Sequence, residues 1–140
     1  MTRPSAAQAE RARQLLASEG DCSNTEACAA AAGRVYDKLD AQLMPLLGRA
    51  GFRALFMRSA KLAQSELPSL AGVAHSLESA TRLRAWLQSL ELVAAIETAA
   101  VLLGNFLELT TTFIGERLTV QVLRQAWPEI RETATKGTQR

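Results

Sequence analysis

Few residues in this chain have a type and spacing that could do chemistry. It has one histidine, His75, and two cysteines, Cys22 and Cys28, six positions apart. Glu97 and Glu108 sit eleven positions apart inside an apolar run, LELVAAIETAAVLLGNFLELTTTFIGERL (90–118). On a straight helix that spacing puts both carboxylates close to one line. There they could mark a wet stripe, pair with Arg82, Arg84, Arg117 or Arg124, or anchor a ligand. Two thiols and one imidazole are too few for a closed metal site, so no metal is expected. A carboxylate-bridged di-iron bundle needs a Glu-x-x-His pair, and Gly72 stands three before the histidine. No glycine-rich phosphate cradle and no convincing strand is present, so no cofactor is expected either. The cysteines are flanked by Asp, Ser and Ala, with nothing to activate a thiolate, and read as small reduced thiols. This inventory points away from an enzyme.

The histidine lies in AHSLESATRLRA (74–85). Ala74, His75, Ser76 and Leu77 follow one another as in the signature of histidine phosphotransfer domains, and the stretch resembles that signature. Those domains are four-helix bundles of about this size, in which an exposed histidine accepts a phosphoryl group from a response regulator. The resemblance implies His75 as a phosphoacceptor. It departs from the family at Glu78, where the family has lysine, and at Ser79, where it has glycine. A carboxylate beside a phosphohistidine repels it.

The elements that must position these residues are all helical. With 140 residues the chain is the size of one domain with its own core. Ala and Leu dominate and aromatics make up only 5% of the chain, which favours helices packed closely through small residues. Residues 1–22 read as an N-terminal helical arm that packs weakly or against a partner. It opens with Ser5 and Gln8 as a capping box and ends at Gly20. Residues 23–128 read as the bundle domain and 129–140 as a polar tail. In the bundle, Ser23 and Glu26 suggest a second capping box. Ala27, Ala31, Val35, Leu39, Leu43 and Leu46 mark one helix face, with the helix kinking or ending just before Pro45. PLLGRAG then forms a corner, followed by a helix with Phe52, Leu55, Phe56, Ser59, Leu62, Ala63 and Leu67 on one side. Helical character resumes at Ser76 and runs to Phe113. Unbroken, those residues would span about 57 Å, whereas a domain of this length measures about 35–40 Å across. A break is therefore required, and Gly104-Asn105 is its expected place. Gly115 marks another corner. The last helix carries Leu118, Val122, Leu123, Ala126 and Trp127 on one face. LLGRAGFRALFMRSA and FIGERLTVQVLRQA share the order apolar pair, glycine, charge, amphipathic helix, as two helix–glycine–helix corners would. The expected fold is all-α, a single-domain bundle of five to six helices around a long apolar helix or kinked helix pair.

The apolar run is long enough to cross a membrane. Glu97, Asn105 and Glu108 within it, at about 2.5–3.5 kcal/mol for each central acidic residue, argue against a span, as does the lack of a flanking basic cluster. The N-terminal sequence has no apolar signal core, so the cytoplasm is the expected compartment. Sixteen basic against fourteen acidic residues give a net charge of +2 and no electrostatic reason for a nucleic-acid partner. A helix-turn-helix reading of 67–87 fails because Pro68 sits where its first helix must be intact. Arg49, Arg53, Arg58 and Lys61 read as a solvated face.

Three functions follow as expectations. The first is a non-enzymatic interaction or regulatory module, homo-oligomeric, because the chain has more apolar helical surface than one small bundle hides. Its interface residues would be Trp86, Leu90, Leu103, Leu107 and Trp127. The second is a bundle enclosing an apolar ligand, with Glu97, Asn105, Phe106, Glu108 and Phe113 lining the site and the Thr110–Thr112 run as further polar anchors. The third is phosphotransfer through His75.

Overall fold

The computed structural model describes residues 6–20, 22–67 and 80–128. It is an all-α bundle, with five helices and no strand among the described residues: α1 (Ala6–Glu19), α2 (Thr25–Ala63), α3 (Ala80–Gln88), α4 (Leu92–Ile114) and α5 (Glu116–Ala126). Central to it is the pairing of α2 with α4. α3 packs mainly on α2, α1 mainly on α4, and α5 against both.

Helix α2 is a hairpin of two arms. At Gly48 the backbone takes φ 79° and ψ 167°, a conformation essentially closed to residues with a Cβ. The packing proves the reversal. Tyr36 and Phe56 would stand about 30 Å apart on a straight helix, yet their rings stack with centroids 4.7 Å apart and planes 6° from parallel. Phe106 of α4 meets Tyr36 edge-on at 5.5 Å, and Phe52 reaches Phe106 at 5.4 Å. Three of the chain's four phenylalanines and its one tyrosine thus fasten both arms of α2 to α4.

The helix does not end before Pro45, as its sequence suggested. Pro45 lies inside the first arm, and the break comes three residues later. Proline itself has a helical φ, and its cost falls on the turn behind it. On that arm Ala31, Val35, Leu39 and Leu43 are buried as the periodicity requires, but Leu46, beside the break, is 48% exposed. Asn24, not Ser23, caps the helix: its Oδ1 accepts from the Ala27 N–H at 2.8 Å. Ser5 of the first expected capping box, Pro68, the 68–79 segment with His75 and Glu78, and the tail 129–140 lie outside the described residues.

The required break in the 76–113 run falls at Ser89–Glu91, and Gly104-Asn105 continues the helix. At 89–91 the chain closes with turns: Ser89 N–H donates to Trp86 O and Leu90 N–H to Leu87 O, and the Ser89 hydroxyl donates to Trp86 O at 2.6 Å. Residues 102–107 are buried all round the helix, Gly104 and Asn105 included. Asn105 is held by donating its amide back to Val101 O at 3.0 Å, so its polarity requires no break. Helix α4 is long and apolar enough to cross a membrane, and half of its most apolar stretch is buried inside this chain. Gly115 then turns the chain with φ 95° and ψ 157°, nearly the Gly48 conformation. The two glycine corners seen in the sequence are therefore alike in backbone.

Helix α1 is not a weakly packed arm. Ala12, Leu15 and Leu16 belong to the main hydrophobic cluster. The helix runs back along α4: Gln8 Nε2 donates to Thr111 Oγ1 at 3.0 Å, and Arg11 lies 3.5 Å from Glu116. Its far end is clasped at Glu19. That carboxylate accepts from the Trp127 indole N–H at 2.7 Å and pairs with Lys38 at 2.5 Å and Arg34 at 3.5 Å. Burial pushes the Glu19 carboxyl up, but these donors and charges outweigh it and hold it below its ordinary value. Lys38 also lies 5.6 Å from the centre of the Trp127 ring, a cation–π contact.

Candidate binding groove

The expected site residues do not converge. Phe106 is fully buried in the aromatic cluster, and Asn105 is 2% exposed and tied to its own helix. The Glu108 carbonyl accepts from the Thr112 hydroxyl, and Phe113 points outward, 69% exposed. Thr110 donates to Phe106 O, and Thr111 accepts from Gln8. Among the described residues, these side chains are thus held apart by different partners. Nor do the expected interface residues form one surface. Leu103, Leu107 and Trp127 are between 0% and 1% exposed and serve the core of this chain, so no face of theirs is left to meet a partner. Trp86 and Leu90 are partly buried against that core.

A different feature stands out. Between α1 and the first half of α4 lies a groove of about 1200 Å³. Val93, Ile96, Glu97, Ala100 and Val101 line one wall, and Ala6, Ala9, Glu10, Arg13, Leu16 and Ala17 the other. Gly20, Cys22, Cys28 and Glu66 complete it. Of the expected ligand residues only Glu97 lines it. The wall on α4 follows from helical period. Positions 95, 99, 102, 103 and 106 form one stripe that faces the core, while 93, 96, 97, 100 and 101 form a second on another side. Val93 is 74% exposed and Ile96 40% exposed. The sequence shows one long apolar run here and does not show that its two apolar stripes have different neighbours. The signal was present in the spacing, but nothing in it says which stripe the other helices cover.

Most of the charge lies at the rim, and Glu66 brings a partly buried carboxylate into the lining. Arg13 and Glu10 are both well exposed and 3.9 Å apart, an ion pair of little worth in water. Glu97 is exposed and forms no ion pair among the described residues. Glu108 lies about 16 Å further along the same helix, too far to act with Glu97 on one group. Among the described residues no group of three or more His, Cys, Asp or Glu side chains is placed to hold a metal ion.

Both thiols line this groove. Cys28 is buried, Cys22 half-buried, and both are reduced. Burial above all, then a hydrogen bond and charge shared with Cys22, push the Cys28 thiol up to about 12. A thiol so placed is a poor nucleophile at neutral pH.

Fold and site together define an all-α helical-hairpin bundle with an apolar groove between its first helix and its central one. No protein-family model, no curated protein and no solved structure matches the chain.

Proposed function

We propose that this chain is a non-enzymatic helical interaction module that self-associates through the α1–α4 groove. The observation that carries the reading is the exposure of Val93 and Ile96 on a groove wall while the residues on the next stripe of α4 are fully buried. Burying a valine or isoleucine side chain completely contributes about 1.5–3 kcal/mol. Two such side chains alone do not offset the cost of association, about 4–15 kcal/mol. Under a two-fold axis each counts twice, and the exposed Ala6 and Ala17 and the half-buried Val101 of the walls add to them. The rim fits the same symmetry. Arg13 stands on one wall and Glu97 on the other, so an isologous contact can set Arg13 of each copy against Glu97 of its partner.

A second reading uses the same groove for an apolar small molecule, and its lining favours that reading. Small-molecule pockets are mostly apolar and carry a few polar groups, as Glu97 is here, although at about 1200 Å³ the groove exceeds their usual 300–1,000 Å³. His75, which a phosphotransfer role would use, lies outside the described residues.

Light scattering on the purified chain without detergent, followed by native mass spectrometry of the peak, tests both readings. A dimer or larger assembly with no added mass is the expected result. A monomer carrying extra small-molecule mass supports the ligand reading, and a bare monomer across the micromolar range overturns both.

A further inference from the structure

We infer that Cys22 and Cys28 are a redox pair that closes to an intramolecular disulfide under a small-molecule disulfide oxidant. Three observations place them for it. Cys22 lies close enough to Cys28 to help push its thiol up. Both line the groove. Cys22 packs against the hydrophobic cluster to which Cys28 belongs. Cys22 also lies in the non-helical link between α1 and α2, just before the Asn24 cap, whereas Cys28 lies in the first turns of α2. One partner can therefore adjust while the other is fixed, as closure to disulfide geometry requires.

Burial sets the order of events. Cys22 is the accessible thiol and attacks first. Its sulfur bonds to one sulfur of the oxidant, the oxidant's S–S bond breaks, and one small thiol leaves. Cys28 then gives its proton to solvent and attacks the Cys22 sulfur, and the second small thiol leaves. One disulfide has been consumed and one formed, with both protein sulfurs oxidised and the oxidant reduced to two thiols. The second step is favoured by proximity, because Cys28 already adjoins its target. Capping Cys22 also removes its thiolate charge from beside Cys28, so that burial alone then holds the Cys28 proton.

The full chain, treated natively with glutathione disulfide, then alkylated and mapped by peptide mass, tests this. The expected product links Cys22 to Cys28 within one chain and lacks the mass of two hydrogens. Cys28→Ala is expected to stop at a glutathione adduct on Cys22. Cys22→Ala is expected to leave Cys28 unmodified in the folded chain and reactive in urea. A chain treated natively with the oxidant in which both thiols are still alkylated in urea overturns the inference, as does a product linking two chains. Equal adduct formation by the two folded variants overturns the assigned order. The inference touches the proposed function at one point, since both thiols lie in the groove wall; that link rests on the self-association reading. A disulfide that forms in a chain monomeric under all conditions refutes self-association and leaves the redox pair standing.

Discussion

Tyr36→Phe should make this protein more stable. The Tyr36 side chain is 1% exposed, and its hydroxyl has no hydrogen-bond partner among the described residues. Burial drives its pKa upward, so the phenol stays neutral. An unmet buried hydroxyl costs about 1–3 kcal/mol. Phenylalanine removes that cost and keeps the ring stacked on Phe56 and edge-on to Phe106. The space vacated by one oxygen offsets a few tenths of a kcal/mol. The net expectation is a gain of about 1 kcal/mol, and a midpoint about 3–5 °C higher for a domain of this size. Urea unfolding followed by circular dichroism measures it, with the denaturant slope unchanged if the unfolded state is unaffected. A loss of more than about 0.5 kcal/mol would refute the reasoning, because it would mean that the hydroxyl is satisfied in solution.

Other consequences can be checked with the same assay. Glu19→Gln should cost about 1–3 kcal/mol at pH 7, since it weakens charge-assisted bonds to Lys38 and Trp127. The Glu19 carboxyl is lowered in the folded chain. Its contribution is therefore complete above the ordinary glutamate value of about 4.3 and lost as pH falls through the lowered folded value. Wild type and variant should thus converge in stability in acid, and parallel pH profiles would contradict this account of the clasp. Gly115→Ala should cost about 1–3 kcal/mol through backbone strain alone, because nothing lies within 4 Å of the added Cβ. An unchanged urea midpoint would show that the corner has another conformation open to it. Closure of the Cys22–Cys28 disulfide from the Cys22 adduct should speed up with pH across the neutral and mildly alkaline range, because the scarce Cys28 thiolate limits it. Stopped-acid trapping of the adduct would expose a pH-independent closure and refute that ordering.

The helical class and most core faces were legible in the sequence because both depend on local period. Ala31, Val35, Leu39 and Leu43 were marked by spacing and are buried. Chain geometry also required a break in the 76–113 run. Its position was not legible, because glycine and asparagine were weighed as helix breakers in isolation. In the packed chain Asn105 turns its amide onto Val101 O, and the break falls where Ser89 closes a turn without glycine or proline. Pro45 misled for a related reason: its cost is one turn's hydrogen bonding, while Gly48 can reverse the chain outright. The hairpin in α2 became visible only through the Tyr36–Phe56 stack, a contact across twenty residues that no local pattern encodes. The candidate groove was hidden too. Val93 and Ile96 look like any other apolar residues of α4 until the positions of α1 and α2 show which stripe is left uncovered.

Self-association through that stripe is tested most directly by sedimentation equilibrium on three chains: wild type, Val93→Asp and Leu46→Asp. Val93 and Leu46 are both exposed apolar residues, at 74% and 48%, but only Val93 lines the groove. The account predicts that wild type and Leu46→Asp assemble with similar affinity while Val93→Asp sediments as a monomer. Assembly of Val93→Asp as tight as that of wild type, or loss of assembly in Leu46→Asp alone, would contradict it.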